Sequence, residues 1–345
     1  MDKLFGTDGI RGVAGNELDA ALARRVGAAA ARTLRGHGER RPSVLVGRDT
    51  RASGPMLEEA LADGIRAGGG DALLVGVQTT PAVAFLTVEL GASSGVVISA
   101  SHNPPEYNGI KLFGPRGFKL SDELEAEIES DVREDGAASE AGGAVTVLQD
   151  ATERYVAHLV RSAGHDLSGL RVVVDAANGA ASVAGPETLR RLGAEVTAIS
   201  DRPDGSNINV GCGAMHPEVV AKAVLEQGAA AGVAFDGDAD RALFAGPGGE
   251  PIDGDFVLAS SALALQRRGE LAGDTVVTTV MANVGFHQAM KEAGIEVLTT
   301  KVGDRFVLEE MLETGAVLGG EQSGHVICRE HATTGGGILT AVKLL

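Results

Sequence analysis

The chain of 345 residues is long enough for two or three domains, and its 44% hydrophobic and 22% charged residues exclude a disordered or fibrous protein. A formal charge of −17, no tryptophan and 3% aromatic residues argue against a nucleic-acid partner, because the chain repels polyanions and offers few rings for stacking. Two distant cysteines, no run of 18 apolar residues and an opening sequence without a signal-peptide core predict a cytoplasmic protein with neither a disulfide framework nor a membrane span.

Helices and strands alternate in the predicted elements. Apolar residues at helical spacing predict helices over 19–34 and 56–67, and short apolar runs between Gly- and Asp-rich turns predict buried strands. This alternation favours βαβ units in mixed or mostly parallel sheets. The runs form three repeats of three strands, although no block of sequence is copied. The predicted strands are 43–46, 72–75 and 95–98, then 171–174, 195–198 and 232–235, then 275–278, 296–299 and 316–319.

The three repeats predict an α/β fold of three tandem domains. Changes in composition over 134–144 and near 247–251 are the predicted boundaries, which gives domains 1–150, 151–250 and 251–345. In each domain the third strand leads into a polar loop, and the loops read SASHNP, DGDADR and GEQSGH. Because ligand sites in such sheets lie beyond the carboxyl ends of strands, we expect the three loops to share a central cleft.

The first polar loop offers a hydroxyl nucleophile. Ser101 is followed by His102, a setting in which a serine can accept and donate a phosphoryl group. The competing interpretation is an ordinary strand-to-turn junction, because Ser, Asn and Pro all favour turns. The nearby run G-A-S-S-G around Ser93 matches a hydrolase pattern, but its predicted strand follows the serine, whereas a nucleophile elbow requires a strand before it.

The second polar loop carries three carboxylates on alternate residues. Asp236, Asp238 and Asp240 follow a buried strand, where a bound cation would relieve their mutual repulsion, and Mg²⁺ prefers such oxygen ligands. Arg241 is placed to hold a phosphate or to orient a carboxylate. The alternatives are a solvated acidic turn and a phosphatase with Asp236 as its nucleophile.

The third polar loop and two lysines complete the candidates that the residues themselves suggest. Glu321 and Ser323 suit recognition of sugar hydroxyls, although a surface turn has the same composition. Lys111 follows the serine and is a candidate general acid or base, and Lys301 opens the run KVGDR at a strand end. No G-x-x-x-x-G-K-[ST] run and no strand-linked G-x-G-x-x-G run occurs, which argues against a kinase or a dinucleotide enzyme.

Five motifs in one order make the chain similar to the α-D-phosphohexomutase family over nearly its whole length: FGTDGIRG, SASHNP, DGDADR, KVGDR and GEQSGH. The resemblance implies that Ser101 is a phosphoserine, which gives its phosphoryl group to a sugar phosphate and receives one back from the resulting bisphosphate. It also implies a Mg²⁺ ion with Arg241 beside it. The implied metal ligands are a phosphoserine oxygen of Ser101 and the carboxylates of Asp236, Asp238 and Asp240.

The resemblance further implies which residues surround the substrate. The residues implied around the reacting phosphate are Arg11, Lys111 and His102. Those implied on the sugar are Glu321 and Ser323, with Arg241, Lys301 and His325 nearby.

The glutamine of GEQSGH and the FGTDGIRG motif resemble the glucosamine branch of the family. This implies reversible conversion of glucosamine 6-phosphate to glucosamine 1-phosphate for UDP-N-acetylglucosamine synthesis, with glucosamine 1,6-bisphosphate as activator. The alternative substrate is a hexose phosphate, as in the mutases of glucose and mannose phosphates. The expected partner is therefore a small sugar phosphate, and a homodimer is the oligomeric state considered.

Two departures from the family pattern qualify this expectation. The family has a fourth domain whose Arg-Ser-Gly-Thr loop grips the non-reacting phosphate, and this sequence contains no such run. Loss of that grip predicts weaker positioning of the sugar, so a sugar-phosphate binder with little turnover is the rival hypothesis. In addition, Gly336 stands where the family pattern has an aspartate.

Overall fold

The computed structural model describes residues 4–6, 8–134 and 142–345 of the chain. The described residues form two compact units. Unit 1 extends to Tyr155 and also contains the later segment Pro203–Val210. Unit 2 contains Val156–Arg202 and Gly211–Leu345.

Unit 1 is built on one mixed sheet. Its described strands are β1 Ile10–Val13, β2 Ser43–Arg48, β3 Asp71–Val77, β4 Ser94–Ile98, β5 Tyr107–Phe113 and β6 Val145–Val147. Its described helices are α1 Ala20–Gly36, α2 Gly54–Ala67, α3 Thr80–Glu89 and α4 Asp122–Glu134, and α5 Ala151–Ala163 continues into unit 2. The strand order is β1-β5-β4-β2-β3-β6, and β5 runs antiparallel to both of its neighbours.

The central strand of unit 1 separates two apolar cores. Val44 and Val46 of β2 belong to a core with side chains of α1 and α2, whereas Leu45 between them belongs to a core with Val83 of α3. This alternation is the period of two expected of a strand that is buried on both faces. Burial of each such side chain stabilises the fold by about 1.5–3 kcal/mol. Apolar runs without polar interruption therefore mark the strands of the sheet centre.

Unit 2 contains two sheets. The strands of the first are β7 Arg171–Asp175, β8 Glu195–Ile199, β9 Ala231–Phe235, β10 Ala242–Ala245 and β11 Pro251–Ile252, in the order β11-β10-β9-β7-β8. The strands of the second are β12 Thr275–Thr279, β13 Glu296–Thr300, β14 Leu318–Gly320 and β15 Val326–Cys328, in the order β13-β12-β14-β15. The described helices are α6 Ala181–Arg191, α7 Pro217–Gln227, α8 Gly254–Arg268, α9 Val284–Glu292, α10 Asp304–Thr314 and α11 Gly337–Leu344.

The predicted threefold repeat is confirmed in the sheets. In each sheet the first strand of the repeat lies between the second and the third and is parallel to both, as β2 is to β3 and β4. The same holds for β7 between β8 and β9 and for β12 between β13 and β14. The strand that follows the third one is antiparallel to it in all three sheets, which makes the sheets mixed, as the α/β prediction allowed.

One predicted strand is misplaced. The prediction over 316–319 is wrong at its start, because β14 covers Leu318–Gly320. Gly315 ends α10 in a left-handed conformation with φ 81°, and the chain needs the next two residues to reach the sheet.

Three further predictions concern the first domain boundary, membrane-spanning helices and Gly336. Residues 135–141 of the predicted boundary 134–144 lie outside the described residues, and the three domain limits stay predictions. None of the described helices combines the length and apolar character needed to cross a bilayer. Gly336 is the N-cap residue of α11 and supplies no side chain to that helix end.

Candidate functional site

The serine loop, residues 99–104, turns away from the sheet of unit 1 directly after β4. Ser101 is 3% exposed and has a left-handed backbone with φ 49°, which costs a non-glycine residue about 1–2 kcal/mol. The amide of Asn103 donates to the carbonyl of Ala100 at 3.0 Å and closes the turn. The Oγ of Ser101 lies 3.3 Å from Nδ1 of His102. The predicted nucleophile therefore has an imidazole within reach.

Two predicted cations lie on the strands beside the serine loop. Lys111 belongs to β5, which pairs with β4, and Arg11 belongs to β1, which pairs with β5. The carboxylate of Asp8 contacts both, at 2.7 Å from Nζ of Lys111 and in close contact with the guanidinium of Arg11. Arg11 also donates to Oδ1 of Asn103 in the loop at 3.3 Å. The structure thus brings Arg11, Lys111 and the serine loop into one polar cluster.

Sequence reasoning missed a buried charged pair beneath this loop. Asp49 and Arg51 follow β2 in the run GRDTR, and both side chains are completely buried. The Nε of Arg51 donates to Oδ2 of Asp49 at 2.9 Å, and the hydroxyl of Ser99 donates to the same oxygen at 2.6 Å. Burial raises the pKa of the Asp49 carboxyl, while the charge of Arg51 and these hydrogen bonds oppose the rise. An Asp and an Arg at the end of a buried apolar strand were the available signal.

The aspartate loop, residues 236–241, follows β9 in unit 2. Asp236, Asp238 and Asp240 are all buried, and their carboxylates offer ligand atoms within 4.8 Å of one another. The amide of Ala239 donates to the carbonyl of Asp236 at 3.1 Å, and Ala239 is left-handed with φ 54°. Three buried carboxylates this close repel one another, and hard oxygen donors suit a divalent cation such as Mg²⁺. The donor set therefore fits the metal predicted from the sequence.

Arg241 partly balances the charge of these carboxylates. Its Nε lies 3.9 Å from Oδ1 of Asp240, and its amide donates to Oδ1 of Asp236 at 3.3 Å. Burial alone lowers the pKa of the guanidinium, but the carboxylates of Asp240, Asp236 and Asp238 outweigh burial and raise it. Arg241 therefore offsets part of the negative charge of the three carboxylates.

The sugar loop, residues 320–325, contacts the aspartate loop within unit 2. Arg241 forms a β-bridge with His325, and the amide of Ala242 donates to the carbonyl of Gly324 at 3.1 Å. Oε1 of Glu321 accepts the amide of Gly303 at 3.0 Å, which fixes the KVGDR segment beside this loop. His325 is buried, with Nε2 4.0 Å from the Asp304 carboxylate.

The two remaining predicted contacts are exposed. Ser323 lies at the exposed tip of the sugar loop, and Lys301 extends over the ring of Phe306 at 5.8 Å from its centre. Ser101, His102, Arg11 and Lys111 thus lie in unit 1, and the acidic, sugar-loop and KVGDR residues lie in unit 2. The predicted residues of unit 1 contact one another or the serine loop, Arg241 and His325 pair in unit 2, and the roles of all these residues stay predictions.

Three consecutive segments of the chain match domain models of one protein family. Residues 2–139, 153–249 and 253–345 match domains I, II and III of the alpha/beta/alpha domains described for phosphoglucomutase/phosphomannomutase. A phosphoglucomutase/phosphomannomutase family protein from Burkholderia thailandensis superposes with a TM-score of 0.86 at 32% identity, over 99% of this chain and 75% of that chain. An N-acetylphosphoglucosamine mutase from Aspergillus fumigatus, solved with GlcNAc-6P and magnesium, shares the fold with a TM-score of 0.62 at 17% identity, over 98% of this chain and 76% of that chain.

Higher identity is found with curated relatives. The phosphoglucosamine mutase of Moorella thermoacetica is 54% identical over 350 residues, which cover all of this chain and 79% of that protein. The phosphoglucosamine mutase of Corynebacterium jeikeium is 53% identical over 352 residues, with the same coverage. The chain therefore belongs to the α-D-phosphohexomutase family of isomerases and is similar, within that family, to the phosphoglucosamine mutases.

Proposed function

We propose that the chain interconverts glucosamine 6-phosphate and glucosamine 1-phosphate through a phosphoserine at Ser101 and a glucosamine 1,6-bisphosphate intermediate. The observation that carries the proposal is the 54% identity, over the whole chain, to a phosphoglucosamine mutase. The product would supply UDP-N-acetylglucosamine synthesis. The proposed partner is a small hexosamine phosphate, while the cytoplasmic location and the homodimer stay predictions.

Ser101 is the proposed acceptor and donor of the phosphoryl group. As its Oγ takes a phosphoryl group from the bisphosphate, an O–P bond forms at Oγ and the P–O bond to the sugar oxygen breaks. The proton of the hydroxyl passes to the sugar oxygen by way of His102, 3.3 Å from Oγ, or of Lys111. Lys111 and Arg11 also supply positive charge for the phosphate, and Asp8 holds both cations in place.

The acidic cluster is the proposed metal site. Asp236, Asp238 and Asp240 would hold Mg²⁺, and a phosphoserine oxygen is the proposed fourth protein ligand. When bound, the ion offsets charge on the phosphoryl oxygens during transfer. Arg241 would orient the carboxylates and face the phosphate, because its Nε lies near Asp240 and its positive charge is retained.

The sugar loop is the proposed site of sugar recognition. Glu321 offers a carboxylate to sugar hydroxyls or to the amino group, and its backbone partner Gly303 keeps it oriented. Ser323 at the loop tip offers a hydroxyl. Lys301 and His325 are the proposed neighbours of the substrate.

Intact-mass measurement of the phosphoryl transfer tests the proposal at its first chemical step. The chain is incubated with Mg²⁺ and glucosamine 1,6-bisphosphate, and we expect the wild type to gain one phosphoryl group and Ser101→Ala to gain none. Ser93→Ala is the matched control. Ser93 precedes β4, and its hydroxyl accepts the Ser43 amide at 3.1 Å. The Ser93→Ala variant should therefore gain the same mass as wild type.

Other outcomes separate the alternatives. Faster gain from glucose or mannose 1,6-bisphosphate would favour a phosphoglucomutase or phosphomannomutase. Binding of the bisphosphate without a mass gain would favour a sugar-phosphate binder. Release of inorganic phosphate that survives in Ser101→Ala and is lost in Asp236→Asn would favour a phosphatase. This half-reaction is the suitable test because the chain spans 79% of the length of the relatives.

A further inference from the structure

We propose that Arg51 and Asn209 are positioning residues that hold the serine loop and thereby set the rate of phosphoryl transfer at Ser101. The inference rests on the proposed role of Ser101 as phosphoryl acceptor. Neither residue belongs to the five motifs of the sequence analysis. Asn209 comes from the strap, Pro203–Val210, a segment that belongs to unit 1 although the chain on both sides of it belongs to unit 2.

Two NH₂ groups bridge the same pair of loop carbonyls. Nη2 of Arg51 donates to the carbonyl of Ser101 at 3.0 Å and to that of Asn103 at 2.8 Å. Nδ2 of Asn209 donates to the same two oxygens at 2.8 Å and 3.1 Å. Because both partners are acceptors, only the NH₂ group of the Asn209 amide can face them. Each carbonyl therefore receives two hydrogen bonds from side chains distant in sequence.

These bonds fix two peptide planes of the loop, Ser101–His102 and Asn103–Pro104. A left-handed serine persists only where its surroundings determine the backbone more strongly than local preference does. For Ser101, whose φ is 49°, this comes from its carbonyl, held by Arg51 and Asn209, and from its amide, which the hydroxyl of Ser99 accepts. The direction of the Ser101 Cα–Cβ bond, from which Oγ extends, follows from the two peptide planes that flank Ser101.

Arg51 is itself held rigidly. It is completely buried, its Nε and its amide both donate to Asp49 at 2.9 Å, and its Nη1 contacts the carbonyl of Pro104. Ser99 extends this arrangement to the loop, because its hydroxyl donates to Asp49 and accepts the amide of Ser101 at 3.0 Å. The planar guanidinium can serve several acceptors at fixed angles, which a lysine cannot reproduce.

The strap has contacts of its own that do not involve the Asn209 amide. Its Gly205 carbonyl accepts the amide of Ala52 at 2.9 Å, and Ile208 is completely buried. Gly205 is left-handed with φ 91°, and a side chain there would lie 3.0 Å from the Cβ of Ala52. Truncation of Asn209 therefore removes the two loop hydrogen bonds and none of these strap contacts, although Asn209 is itself left-handed with φ 61°.

Asn209→Ala is the decisive variant, because it removes no charge and leaves no charged side chain without its counterion. We expect the single-turnover rate of phosphoryl gain from glucosamine 1,6-bisphosphate to fall about 10- to 100-fold, since a displacement near 1 Å can cost about 100-fold. The affinity for the bisphosphate should stay close to wild type. The thermal unfolding midpoint should fall only slightly, because alanine tolerates the left-handed backbone of Asn209 less well than asparagine does. Asn209→Asp has the same shape but turns a carboxylate oxygen, which is an acceptor, towards both carbonyls. Its single-turnover rate should therefore fall further than that of Asn209→Ala.

Hydrogen exchange supplies a readout that does not depend on chemistry. The amides of Ser101 and Asn103 are hydrogen-bonded within the loop, and both should exchange faster in Asn209→Ala while the amides of β2 and β4 do not change. Ser206→Ala is the strap control, because its exposed hydroxyl donates to Asp204 within the strap. It should match wild type in rate and in exchange.

The outcomes separate this inference from the proposed function. A slower transfer with faster loop exchange supports it, and unchanged loop exchange or an unchanged rate in Asn209→Ala overturns it. An equal loss of stability and rate also overturns it, because a merely structural role predicts that result. If the wild type gains no phosphoryl group, the proposed function fails, and the exchange data alone then decide whether Asn209 holds the loop.

Discussion

The serine loop and the aspartate loop follow the third strands of their sheets, and each contains a left-handed residue that is not glycine. The supports of these residues differ. Side chains hold Ser101, through the hydrogen bonds of Arg51 and Asn209 to its carbonyl. Backbone groups hold the aspartate loop, whose Gly237 and Ala239 carbonyls accept amides from other segments of unit 2 at 2.8 Å and 2.9 Å.

Close backbone approach makes the second kind of support feasible. A Cβ at Gly179 would lie 2.4 Å from the carbonyl oxygen of Gly237, and one at Gly337 would lie 2.5 Å from that of Arg241. Only glycine fits such approaches. Such a support acts on carbonyl oxygens of the loop and not on its carboxylates. In the serine loop the hydroxyl of Ser99 donates to Asp49, so a charged pair supports this loop from beneath.

The same difference recurs after the first strand of each repeat. Asp49 and Asp175 each accept the amide two residues further on, at 2.9 Å and 3.0 Å, and Thr279 does so at 3.3 Å. Asp49 also faces Arg51, whereas the second oxygen of Asp175 accepts the amide of Gly213 at 2.9 Å. One turn geometry is therefore stabilised by an ion pair in unit 1 and by amides in unit 2.

The largest effect is expected where the ion pair is broken. Asp49→Asn leaves the buried Arg51 guanidinium without its counterion, and we expect the free energy of unfolding to fall by about 3–5 kcal/mol. Asp175→Asn removes a hydrogen-bond acceptor and no ion partner, so a loss of about 1–3 kcal/mol is expected. Urea unfolding followed by circular dichroism measures both, since the chain has no tryptophan. Equal losses in the two variants would contradict the distinction.

Much of this comparison could be predicted from the sequence. Uninterrupted apolar runs such as Val44–Val46 and Val172–Val174 identified the parallel strands, because those strands are buried on both faces. The polar loops could be located because each directly follows such a run. The antiparallel strands were not predicted, since β5 carries the polar residues Asn108 and Lys111 and β15 has only three residues.

The supports of the loops could not be predicted from sequence. Arg51 and Asn209 lie in different repeats, and no local pattern indicates that their NH₂ groups meet the same carbonyls. Gly179 and Gly337 resemble ordinary turn glycines until the backbone opposite them is known. Local sequence identifies a reactive group, whereas its orientation depends on contacts between distant segments.

A smaller effect on the free energy of unfolding is expected when Mg²⁺ binds to the aspartate loop. At a Mg²⁺ concentration about 100 times its Kd, the free energy of unfolding of the wild type should rise by about 2.7 kcal/mol. Asp238→Asn should lose most of this gain, because it removes one of the three buried carboxylates proposed to hold the ion. Without Mg²⁺ the same variant should be at least as stable as wild type, since one repelling charge is absent.

A charge-matched variant checks that this effect belongs to the aspartate loop. Glu226→Gln removes an exposed carboxylate on α7 that lies 3.7 Å from Lys222, and it should keep the full Mg²⁺ response. Chelation should return both the wild type and Glu226→Gln to their metal-free stability. A Mg²⁺ response that survives in Asp238→Asn would contradict the assignment of this ligand.

The smallest effect is a pH dependence that differs in sign between the two units. Burial raises the pKa of the Asp175 carboxyl despite the amides that it accepts. Its contribution to stability is therefore complete below about pH 4 and declines as pH rises through the raised pKa. The difference in unfolding free energy, wild type minus Asp175→Asn, should decrease from pH 4 to pH 7 with a slope below about one proton.

Asp204 in the strap of unit 1 is the opposite case. Hydrogen bonds from the amide and hydroxyl of Ser206 lower the pKa of its carboxyl, so its contribution appears above about pH 4 and is lost as pH falls through the lowered pKa. The corresponding difference for Asp204→Asn should increase over the same pH range or stay flat. If both differences changed in the same direction, the contrast between a buried carboxylate and an exposed, hydrogen-bonded one would be wrong for this protein. Urea titrations at half-unit pH intervals resolve the two signs.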